Sequence, residues 1–228
     1  MPIDRLDWFE EAAVSGPRRD ECVRNLRAYF AGTDGIPAYS GSRFESFGDN
    51  PWNRIVVDDL VAVSMLSVRV PGQAALRFLE RSAGAISALL VQIPTDLDLY
   101  EESAAEHVAA GSAADQLWTL LRTSSQRHDG VGTGLVTTSK LLARKRPRLL
   151  PVWDGVVAGQ LGLAKPRTHW EDVHRWLADD RRVEILRSLE AEGHVPAHVS
   201  LLRVLDVVLW MRGEDEQSVR EQQNPDSD

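Results

Sequence analysis

The residues best suited to chemistry fall in one stretch, HDGVGTGLVTTSKLLARKRPRLLPVWDG, from His128 to Gly155. Gly130 and Gly132 flank Val131 in a turn. Glycine tolerates positive φ and close backbone approach, so Val131 to Thr133 are expected to present N–H groups at the start of the following helix. Such a terminus attracts anions, and a phosphodiester is one that fits. Between Arg122 and Arg148 stand seven Arg or Lys residues and a single acid, Asp129. Lys140 and Arg144, four apart, are expected on one helix face, opposite Leu135 and Leu142. Gly130, Val131, Gly132, Thr133, Lys140, Arg144 and Lys145 are thus the candidate phosphate-binding residues. Beyond the break at Pro147 an apolar approach, Leu149 to Trp153, delivers a lone acid, Asp154, to the start of another helix, where it can act as an N-cap.

A helix, a G-V-G turn, a second helix and then P-V-x-D at a helix start resemble the helix-hairpin-helix DNA glycosylase superfamily, of the endonuclease III and 8-oxoguanine glycosylase type. The resemblance covers about residues 114–162. SKLLARKRPRLLPVWD and LLRVLDVVLWM resemble more closely an uncharacterised domain-of-unknown-function family related to that superfamily. The resemblance implies a hairpin that grips DNA phosphate through backbone amides, and a monovalent cation on the hairpin carbonyls. It also implies an aspartate, Asp154, that serves base excision: its ionised carboxylate would stabilise an oxocarbenium-like sugar and orient or deprotonate the attacking water. The lysine that performs strand cleavage in bifunctional members is replaced by Gly134. Lys140 lies about 9 Å further along the helix. The product expected is therefore an abasic site in an intact strand. Cys22 is the only cysteine, so a cysteine-ligated iron–sulfur cluster is excluded.

These groups need a scaffold, and the apolar spacing supplies one. The pattern predicts an all-α protein with negligible β-structure, a single unit over 1–212 and an acidic disordered tail over 213–228, and the resemblance implies that the helices form two lobes. Helices are expected over Gln73–Gln92, Asp96–Ala110, Ser112 to about Ser125, Val156–Leu163, Arg182–Glu192 and from Pro196 to about Arg212. A further helix carries Trp170, Val173, Trp176 and Leu177 and opens with a Thr168/Glu171 capping box. Only Ile55–Val57 and Leu89–Ile93 hint at strands. The stretch from Thr33 to Asn53 reads as an ordered loop, in which Tyr39, Arg43, Phe44 and Trp52 are candidates to stack on an extruded base, although aromatics in a loop more often seal a core from outside. Asp58 and Asp59 read as acids of a first helical turn. Asp206, within LLRVLDVVLW, reads as a buried partner of Arg203.

The chain has 228 residues and a formal charge of −8, of which the segment from Gly213 supplies −5 with six acids and one arginine. A generally basic nucleic-acid binder is thereby excluded, but a locally basic face on an acidic body is compatible with double-stranded DNA as partner. One cysteine excludes an intrachain disulfide framework and fits a reducing compartment. The N-terminus lacks a signal-peptide pattern and no apolar run is long enough to span a membrane, so a cytoplasmic location and no membrane partner are expected. His169 and His174, five apart, do not share a helix face, and His194 and His198 straddle Pro196, so no metal site is expected.

Two alternatives stay open beside a monofunctional N-glycosylase. One is a non-catalytic DNA-binding module with Asp154 as a cap only. The other is a protein-interaction protein on the same scaffold. Lys140, Arg144 and Lys145 discriminate between them, because a DNA partner requires them on an open face with the turn.

Overall fold

The computed structural model describes residues 7–12, 16–32, 36, 38–122, 132–163 and 169–223. Gly130, Val131 and Thr168 lie outside them. The described residues are mostly helical and contain no strand. Helices α1 (Asp7–Ala12), α2 (Pro17–Phe30) and α3 (Val57–Ser64) come first, with a 3₁₀ turn at Ser40–Arg43 between α2 and α3. Next are α4 (Gly72–Leu76), α5 (Ala83–Leu90), α6 (Ala104–Val108), α7 (Ala113–Arg122) and α8 (Leu135–Lys145). The chain ends with α9 (Gly155–Leu161), α10 (His169–Leu177), α11 (Asp180–Glu192) and α12 (Leu201–Gln223). Neither strand-like run forms a strand: Ile55 and Val56 lead into α3, which opens at Val57, and Leu89 and Leu90 close α5 ahead of a turn.

Two of the expected helices are shorter or broken. The long helix from Gln73 is interrupted by a π turn, Arg77–Arg81, whose buried Arg77 donates to the Leu120 carbonyl of α7. The segment before α6 stays irregular because it is tied sideways: Leu99 N donates to Arg148 O at 2.9 Å and the Arg148 guanidinium pairs with Asp98.

The last helix is longer than its apolar pattern suggests. It runs through Gly213 to Gln223, so the segment expected to be a tail from residue 213 is helical to 223. Gly213 does not terminate α12; it lets α12 approach α9, since a Cβ there would overlap Val156 Cγ1. The glycine is a packing residue rather than a stop signal.

Helix α8 is the central element, packed against α3 and α7, while α12 packs on α9, α2 and α11. Every residue from Thr137 to Arg146 is buried, cations included. A helix buried all round is normally apolar all round; here its charges are met by partners from other elements. Arg146 needs no acid, because its guanidinium donates to the carbonyls of Ile93, Trp52, Lys145 and Leu90.

Candidate functional site

The expected open cationic face of α8 is absent. Arg144 and Lys145 both reach Asp59 of α3, which is itself fully buried. Arg144 also donates to the Phe44 and Phe47 carbonyls, and Lys145 to Asn50 Oδ1 at 2.9 Å. Asp59 Oδ2 additionally accepts from Val56 N at 2.8 Å, so the expected first-turn role of this acid holds while a second role, as counter-ion of α8, is added. The spacing of Lys140 and Arg144 puts them on neighbouring turns, but α3 covers that face. Thr133 is likewise buried, its N–H directed at Leu121 O at 3.4 Å and its hydroxyl 2.8 Å from that of Thr138. Gly132 is half-buried, and Gly130 and Val131 are outside the described residues.

Lys140 behaves differently from its neighbours, because it lines an open cavity of about 600 Å³ formed by α2, α8, α9, α12 and two loops. It donates to Leu66 O at 2.7 Å and lies 3.8 Å from Asp154 Oδ2. Burial pulls its pKa below the ordinary lysine value, and the Asp154 carboxylate opposes that shift.

Asp154 is held from two directions. As the N-cap of α9 it accepts from Val157 N at 2.9 Å through Oδ1. The extended segment before it is fastened to α8 by Ser139, whose hydroxyl accepts from Trp153 N at 2.7 Å and donates to Pro151 O at 3.3 Å. Lys140 and its neighbour Ser139 therefore fix the carboxylate that follows Trp153.

Aromatic rings form another wall of the cavity. Tyr39 stacks on Tyr29 with centroids 5.0 Å apart and planes 10° apart, and Trp210 meets Tyr39 edge-on at 5.6 Å. Ser40 Oγ donates to Met65 O at 3.0 Å, joining the Tyr39 loop to the turn at Ser67, where a non-glycine residue has φ of 61°. Of the loop residues expected to stack on a base, only Tyr39 lines this cavity. Phe44 is 1% exposed, in the core, and Arg203 lies over its ring. Arg43 is exposed and donates to Ser46 Oγ at 3.1 Å. Trp52 is 51% exposed and outside the cavity.

The floor carries a second ion pair. Arg203 Nη1 pairs with Asp206 Oδ2, as expected from their spacing on α12, and Nη2 donates to Tyr29 OH at 2.6 Å and to Gly41 O at 3.1 Å. Burial works against the arginine charge, but Asp206, together with Tyr29 and Glu45, outweighs it and raises its pKa. Both residues line the cavity along with Trp210 and Glu214. The sequence signal for this floor was a charged pair inside an otherwise apolar run, which by itself reads only as internal pairing. The cavity thus combines flat aromatic surface with Lys140 and Arg203, balanced by Asp154 and Asp206, and Glu214 adds one more acid. It offers no net positive charge to an anion and suits a neutral, flat, polar ligand.

His169 and His174 serve the backbone. His169 Nε2 is 3.3 Å from Pro151 O and His174 Nδ1 is 2.6 Å from Leu99 O. No group of three His, Cys, Asp or Glu able to hold a metal occurs among the described residues. Cys22 is buried and its thiol is pushed up to about 11 by that burial. No helix among the described residues is long and apolar enough to cross a membrane.

The profile of one protein family matches residues 22–213, a span that includes α8, most of α12 and the cavity lining except Glu214 and Gln217; it is described as a family of unknown function, DUF6308. No curated protein and no solved structure matches the chain.

Proposed function

This chain belongs to DUF6308, a family of unknown function, and we propose from its geometry that the cavity receives a nucleobase with its sugar and that Asp154 supports hydrolysis of the N-glycosidic bond. The observation that carries this reading is the placement of a preorganised carboxylate, 3.8 Å from the Lys140 ammonium, on the wall of a cavity whose opposite surfaces are aromatic. A flat base has rings to lie against at Tyr39 and Trp210, and the charge balance favours a neutral heterocycle over a phosphate. As the C1′–N bond breaks, positive charge grows on the sugar, and the Asp154 carboxylate stabilises it electrostatically. Water supplies the new C1′–O bond, and its proton ends on the departing base.

The reading extends to a two-lobed, helix-hairpin-helix arrangement in which an extrahelical base comes from double-stranded DNA. Backbone N–H groups beside Thr133, whose own N–H is directed at Leu121 O, then hold the phosphate, since Arg144 and Lys145 are committed to Asp59. The test is release of free base, followed by mass spectrometry, from duplex oligonucleotides each bearing uracil, hypoxanthine, 8-oxoguanine or 1,N6-ethenoadenine. Wild type is expected to release at least one base and leave a strand that breaks only on alkaline treatment, whereas Asp154→Asn releases none. Absence of release from every duplex sinks the hydrolytic reading.

The burial of Arg144 and Lys145 favours a second reading, a scaffold that binds its ligand or a protein partner without meeting DNA. It predicts no DNA affinity by fluorescence anisotropy even at low salt. The first reading predicts salt-dependent affinity that Gly132→Glu abolishes.

A further inference from the structure

We infer that Glu214 is the specificity-determining residue of this cavity: its carboxylate accepts from an exocyclic amino group and from the ring N–H beside it, so that the preferred heterocycle presents two adjacent N–H donors. This rests on the reading of the cavity as a nucleobase site and names the class of base.

One face of α12 supplies Arg203, Asp206, Val207, Trp210, Glu214 and Gln217 to the cavity lining, a stripe of three- and four-residue steps. Glu214 stands about one turn beyond Trp210 along this face. The residues around it fix that turn. Gly213 lies against α9, where a Cβ would overlap Val156 Cγ1, and Gln160 Nε2 donates to Glu216 Oε2 at 3.0 Å. Glu216 also pairs with Arg212 at 3.0 Å. Gly213 and Glu216 thus fasten the turn to the protein, while Glu214 and Gln217 line the cavity.

The other charges of the lining answer one another, Lys140 with Asp154 and Arg203 with Asp206. Glu214 is half-buried and Gln217 exposed, so this rim of the cavity is open to a ligand. Glu214 makes no hydrogen bond or ion pair among the described residues, whereas Glu216 makes both. A carboxylate only accepts, and its two oxygens lie side by side. Two parallel N–H donors match them, as the fork of a guanidinium does. A flat ring against Tyr39 or Trp210 brings its edge to the next turn of α12. There a pair of donors is bound, and an edge of lone pairs is rejected because acceptors then face each other.

The experiment compares 9-methylguanine with 9-methylhypoxanthine by titration calorimetry on the full chain. The two probes share the ring N–H, differ only in the amino group beside it, and carry no sugar. Wild type is expected to bind 9-methylguanine about tenfold more tightly, the scale of one hydrogen bond to a charged group. In Glu214→Gln, with folding checked by circular dichroism, the preference falls to about twofold or less, because one of the two acceptors becomes a donor. Equal or reversed binding of the probes to wild type overturns the inference and leaves the nucleobase cavity standing; binding of neither overturns both. A preference retained in folded Glu214→Gln also overturns it, since another group then reads the amine. If Glu214→Gln does not fold, the deciding measurement is a nuclear Overhauser contact in wild type between the amino protons of ¹⁵N-labelled 9-methylguanine and the Glu214 γ-protons. Its absence overturns the assignment.

Discussion

Lys140 Nζ and Asp154 Oδ2 lie 3.8 Å apart, with side chains 7% and 16% exposed, although one belongs to the middle of α8 and the other to the start of α9. The link between them is Ser139, which holds the Trp153 backbone against α8. Asp154 therefore has two separable roles, as the cap of α9 and as a charge in the cavity.

Substitution separates them. Asn retains a capping oxygen for Val157 N, whereas Ala removes it, so Asp154→Ala should be less stable than Asp154→Asn by about 1 kcal/mol in urea unfolding. Base release should be lost in both. Activity retained by Asp154→Asn would reduce the residue to a cap.

Asp59 should be among the most sensitive positions in the chain. It is fully buried and serves both Arg144 and Lys145. Asp59→Ala strands two buried cations, and a loss of about 3–5 kcal/mol is expected. Thermal unfolding of the variant checks this; a change near zero would show that the two cations find other partners.

Gly213 tests the α9–α12 contact. A methyl group there overlaps Val156 Cγ1, so Gly213→Ala should destabilise by about 1–3 kcal/mol despite the better helix propensity of alanine. Val156→Ala in the same chain should recover part of the loss, read as a double-mutant cycle in denaturant midpoint.

Glu45 gives stability a pH dependence. Burial raises its carboxyl from 4.5 to about 7, against the pull of Arg203 and of Ser200, which donates to it. The folded state therefore holds a proton that the unfolded chain releases, so its contribution is complete below about 4.5 and is lost as pH rises through about 7. Glu45→Gln should flatten this part of the stability profile and exceed wild type at pH 8 by roughly 2 kcal/mol, less than the full shift because solvent reaches the half-buried side chain. Equal slopes in the two proteins between pH 4.5 and 7 would contradict the assignment.

The sequence by itself determined the helical class, most helix positions, and the pairing of Arg203 with Asp206, because these depend on 3.6-residue periodicity and on neighbours three or four apart. It also named Asp154 as a helix-start acid, and it offered Tyr39 only as one of four loop candidates, of which Tyr39 alone reaches the cavity. What it left undetermined was which face of α8 meets solvent. Periodicity places Lys140 and Arg144 together, but only packing against α3 decides that Arg144 and Lys145 are neutralised by Asp59 while Lys140 reaches the cavity. The continuation of α12 past Gly213 was hidden for the same reason. A glycine that permits close helix contact and one that ends a helix are the same residue until the partner, Val156, is in place. The site is assembled from elements far apart in the chain, α2, the Tyr39 loop, α8, α9 and α12, and contacts of that range are set by burial of the whole core rather than by any local pattern.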